Sequence, residues 1–109
     1  MPEHMPERDW KLWQRLAPRL LNRFCNAAAA KAAEFSMSDA SGHEKFLALY
    51  RFISETNGDI AVVFDDRRRS SAILQIGAAV ARGIMSEAEL NSFSEETQER
   101  VRTVVAIGD

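Results

Sequence analysis

The chain has 109 residues, 46% hydrophobic and 28% charged, a balance that fits one globular domain and favours neither a disordered chain nor a fibrous repeat. Fourteen basic against sixteen acidic residues leave a formal charge of −2, too small to imply nucleic acid or anionic lipid on bulk charge alone. One cysteine, Cys25, excludes an intramolecular disulfide. There is no basic-then-apolar leader and no uncharged apolar run of about 18 residues, so a protein of the reducing cytoplasm is expected, neither secreted nor membrane-spanning.

Residues 1–7 read as a mobile tail. From Arg8 to Phe35 the apolar residues Trp10, Trp13, Leu16, Leu20, Leu21, Phe24 and Phe35 return mostly at three- and four-residue steps, the helical period. Alanines at 27–30, 32 and 33 add helix propensity. Pro18 removes a backbone donor, so the expectation is a short helix, a break near Ala17 and a longer helix. Ser36 to Gly42 is small and polar, hence a loop, and Ser41 with Glu44 has capping-box spacing for the next helix. Phe46, Leu49, Tyr50 and Ile53 form the apolar stripe of that helix, and Asn57-Gly58 is its expected stop.

Ile60 to Phe64 is a short β-branched run that could be a strand or a buried helical turn. Helix is favoured, because no second run of that character exists to pair with it, unless two copies pair the segment. Ser70 or Ser71 can cap the helix carrying Ile73, Leu74, Ile76 and Val80, in which Gly77, Ala78 and Ala79 would admit a close neighbour. Gly83 ends it. Ser86 and Glu89 repeat the capping-box spacing before a short helix with Leu90, and Ser94 caps a last helix with Val101, Val104 and Val105, fraying at Gly108-Asp109. The reading is all-α: a single compact bundle of five or six short helices over residues 1–109, without internal repeat or linker.

Three constellations could carry function. In Asp65-Asp66-Arg67-Arg68-Arg69-Ser70-Ser71, three guanidiniums precede a helix start and could hold an anion or a partner, although the two acids offer them internal partners. Lys11, Arg15, Arg19 and Arg23, four residues apart, form a basic row. Its natural complement is the segment from Ser86 to Asp109, with six acids against two bases, in the same chain or in a second copy. The stretch Ala79, Gly83, Ile84 and Ser86 to Leu90 loosely resembles the helix-turn-helix of DNA-binding proteins, but Glu87 and Glu89 stand where a recognition helix needs cations or amides.

No catalytic set assembles. His43 is the sole internal histidine and reads as a first-turn surface residue, while His4 lies in the tail without spaced ligands. Cys25, beside Phe24, is expected to be buried as a small hydrophobe. Trp10 and Trp13 lie near the chain end, where aromatics either close a core or anchor a partner. The expectation is therefore a non-catalytic interaction or regulatory protein, without cofactor or metal, acting through protein–protein contacts as a homodimer. Its candidate partner-binding residues are Trp10, Trp13, Arg67, Arg68 and Arg69. Nucleic-acid binding through Arg67–Arg69 is the first alternative, and a small-ligand binder or enzyme with a pocket formed on folding the second.

Overall fold

In the computed structural model, which describes residues 5–66 and 68–108, the chain is helical with no strand among the described residues. Five α-helices follow in order: α1 Glu7–Ser36, α2 Gly42–Phe64, α3 Ala72–Ala81, α4 Glu87–Leu90 and α5 Glu95–Gly108. A 3-10 turn at Arg69–Ser71 leads into α3. The molecule measures 57 × 25 × 22 Å, an elongation set by α1, whose 30 residues span about 45 Å.

The expected break at Pro18 is absent, and α1 is one helix. Pro18 is exposed, and so is Gln14 one turn earlier, so the carbonyl left without its N–H partner lies on the solvent side, where water can satisfy it. Ala17 and Leu20, each 1% exposed, hold both sides of the proline against the core. Likewise Asn57-Gly58 does not stop α2. Gly58 keeps a negative φ within the helix, at a cost of about 1 kcal/mol relative to alanine, and burial of Val63 and Phe64 beyond it offsets that cost. Residues 60–64 are thus helical, as expected, and not a strand.

Other local signals hold. The Ser41 side chain accepts from the Glu44 amide, Ser86 and Glu89 make a complete capping box, and Gly83 leaves α3 with φ +72°. Ser71 departs from expectation: its hydroxyl donates to Asp66 at 2.7 Å instead of capping α3. Gly77 admits α5 to close range, since a Cβ there would lie 2.8 Å from Val104 Cγ1.

Two regions result. A head is built from the first half of α1, the end of α2, and α3, α4 and α5, around Trp13, Leu20, Val63, Ile76, Leu90, Phe93 and Val101. Met5 is buried there, and Arg69 donates to its carbonyl from Nε at 3.0 Å. Met5 to Glu7 therefore belong to the folded head, although the expected tail included them; the rest of that tail, residues 1–4, lies outside the described residues. From the head projects an antiparallel hairpin, the second half of α1 against most of α2, in which the Phe35 and Phe52 rings meet at 5.4 Å.

Candidate functional site

The residues picked from the sequence do not gather into one exposed patch. Trp13 is 2% exposed and its ring fills the centre of the head, while Trp10 packs half-buried against the same core. Arg67 lies outside the described residues. Arg68 grips Asp66 with both arms of its guanidinium, at 3.0 and 2.9 Å, and this pair together with the Ser71 hydroxyl holds the Asp66 carboxyl well below the usual range. Gln75 donates to the Asp66 carbonyl, so this cluster shapes the turn from α2 into α3. Arg69 pairs with Glu7 at 2.6 Å and also donates to Met5 O. Both arginines have partners within the chain, which leaves less of their charge for an outside anion.

The basic row is continuous because α1 is continuous. Its last member meets the acidic C-terminal segment within the chain: Arg23 donates to both Glu89 oxygens at 2.8 Å and to the Ile84 carbonyl at 2.6 Å. Arg23 pulls the Glu89 carboxyl down to about 2 against the desolvation that raises it, and hydrogen bonds from Ser86 help. This pair walls a cleft of 740 Å³ between α1 and α4, floored by Leu12 and Leu16. The cleft gathers no second reactive group. Among the described residues no three His, Cys, Asp or Glu side chains could hold a metal ion, and His43 stands exposed at the start of α2.

One buried charge escaped the sequence reading. Asp9 is 0% exposed and accepts from the Ser94 amide at 3.0 Å, the Ser94 hydroxyl at 2.5 Å and the Thr97 hydroxyl at 2.5 Å. Burial pushes its carboxyl up, but those hydrogen bonds, with Arg8 nearby, outweigh it and hold Asp9 below its ordinary value. The carboxylate closes the start of α5 from another helix, a structural tie that leaves no open coordination for a ligand.

The surface that stands out is on the hairpin. Of the expected apolar stripe Phe46, Leu49, Tyr50 and Ile53, only Leu49 is half-buried, while Phe46, Tyr50 and Ile53 are 65%, 68% and 57% exposed. Phe52, Thr56 and Ile60, outside that stripe, are half-buried with Leu49 on the side of α2 turned toward α1. Across a groove of 520 Å³ from Tyr50 and Ile53 lie Cys25, Ala28, Ala29 and Ala32 of α1, and no charged side chain lines it. Cys25 is exposed, contrary to expectation, because no third helix covers this side of α1. The signal was available in the pattern. α2 carries apolar residues over an arc wider than one neighbouring helix can cover, and the helix facing it supplies mainly alanine.

Among the described residues no helix is long and apolar enough to cross a membrane. No protein-family model, curated protein or solved structure matches this chain.

Proposed function

We propose that this chain is a non-catalytic interaction protein of the reducing cytoplasm that works through helix faces as a homodimer. One observation carries the reading: the Phe46, Tyr50 and Ile53 ridge and the groove beside it form a contiguous, uncharged apolar surface outside the core. Contiguous apolar surface rimmed by polar residues marks contact sites, because water must otherwise cover it at a free-energy cost. The second copy is favoured as occupant because the hairpin offers both a ridge and a groove, the two halves of a self-complementary contact. Light scattering coupled to size-exclusion chromatography tests the reading. Twice the chain mass at high micromolar concentration is the expected result, and a strictly monomeric mass there would overturn it.

A further inference from the structure

We infer that the two copies meet hairpin against hairpin about a twofold axis, the Phe46, Tyr50 and Ile53 ridge of each α2 lying on the alanine floor of the other copy's α1. The four long helices then form one bundle. This rests on the homodimer reading and adds to it the face, the order of contact and the residues.

Side-chain size supplies the first argument. Phe46, Tyr50 and Ile53 follow one another at four- and three-residue steps, so they share a face of α2 and stand out from it. Ala28, Ala29 and Ala32 are short, so the matching face of α1 is a shallow floor that lets another helix come close. Each chain carries one ridge and one floor side by side. A twofold rotation therefore makes the same match twice, the condition for a closed contact that does not propagate into a filament.

Charge supplies the second. No charged side chain lines the groove, and the charges that flank Tyr50 on its outer side, Arg51 and Glu55, are of opposite sign. The groove therefore brings no charge to the contact, and the flanking Arg51 and Glu55 carry no net charge into it, which a face of one sign could not do with itself.

Area supplies the third. A large aromatic side chain presents about 200 Å², so two at two-thirds exposure offer roughly 260 Å². With Ile53 and the floor, each copy contributes on the order of 500 Å², and the pair about 1,000 Å². That is the lower end of specific interfaces and implies a concentration-dependent dimer. A single added helix could fill the groove but would leave the outer side of the Phe46 and Tyr50 ridge wet; a second hairpin covers both.

The test uses the whole chain and two readouts: mass by sedimentation, and the labelling rate of the Cys25 thiol by a maleimide, since Cys25 lies on the floor that the dimer covers. In the unsubstituted chain, labelling should slow several-fold from low to high micromolar concentration as dimer forms. Tyr50→Glu and, separately, Ala29→Glu should each weaken the dimer at least tenfold and abolish that slowing, while Arg15→Glu, exposed on the head, leaves both readouts unchanged. Ala29→Glu keeps a good helix former at an exposed position, so it decides the matter even if Tyr50→Glu misfolds. A dimer that persists in Ala29→Glu with Cys25 labelled equally fast at all concentrations overturns the hairpin pairing and leaves the homodimer reading standing on another face. An unsubstituted chain that is monomeric at high micromolar concentration overturns both, and an unlike partner must then cover the ridge.

Discussion

Head and hairpin share α1 and α2, yet the head fully buries a core of apolar residues and the hairpin does not. Trp13, Leu20, Ile76, Leu90 and Val101 are at most 2% exposed, whereas no residue from 21 to 62 is fully buried. The composition of the two regions does not account for this, since the hairpin carries four phenylalanines, a tyrosine and several leucines and isoleucines. The number of neighbours does: in the head α3 meets both α2 and α5, and most of its side chains are enclosed, while in the hairpin each helix has one partner and keeps an open flank. Two helices alone can cover one stripe each. A third layer is needed for the rest.

The contrast predicts where substitutions will hurt, and the largest effect belongs to the centre of the head. Trp13→Ala should cost about 3–5 kcal/mol of unfolding free energy, read by urea titration, because the cavity left among Ala17, Ile76 and their neighbours cannot collapse. A loss below about 1 kcal/mol would mean that the head is not the cooperative core.

Next comes the buried acid. Asp9→Ala should cost about 3 kcal/mol by stranding the Ser94 amide and two hydroxyls at the start of α5. Asp9 and Glu89 both have carboxyls lower in the folded than in the unfolded chain, so their contribution is full above the unfolded values and is lost as pH falls through the folded ones. Acid should therefore loosen the head between about pH 5 and pH 2, by about 1–2 kcal/mol once solvent screening is allowed for, and Asp9→Ala should flatten that slope. Urea titrations at several pH values check both, and an unchanged slope in Asp9→Ala would remove Asp9 from the account.

The smallest effect on folding is expected on the hairpin. Phe46→Ser, at a position 65% exposed, should change the stability of the single chain by no more than about 0.5 kcal/mol, measured at low micromolar concentration. A loss above about 2 kcal/mol would show that the ridge supports the fold itself.

The elements were legible where a signal is local. Ser41, Ser86 and Gly83 mark helix ends because their hydrogen bonds or backbone angles depend on residues at most four positions away. Pro18 and Asn57-Gly58 misled for the complementary reason: a local cost of a few kcal/mol at most was outweighed by Leu20 and Phe64 packing against residues distant in sequence. The Arg23–Glu89 pair was foreshadowed by opposed charge clusters, but nothing in the first turn of α1 distinguishes a sealed Asp9 from an exposed one. For the candidate site, periodicity found Phe46, Tyr50 and Ile53 but could not say that no third helix would cover them.

The groups that satisfy Asp9 lie 85 and 88 residues further along the chain, so its carboxylate cannot be sealed until Ser94 and Thr97 have been made. During synthesis the α1–α2 pairing can form before α3, α4 and α5 exist, while closure of the head waits for α5. A premature stop codon ahead of α5 would thus yield a paired stalk with an acid stranded among grease, a species for proteases to clear and not a smaller working protein.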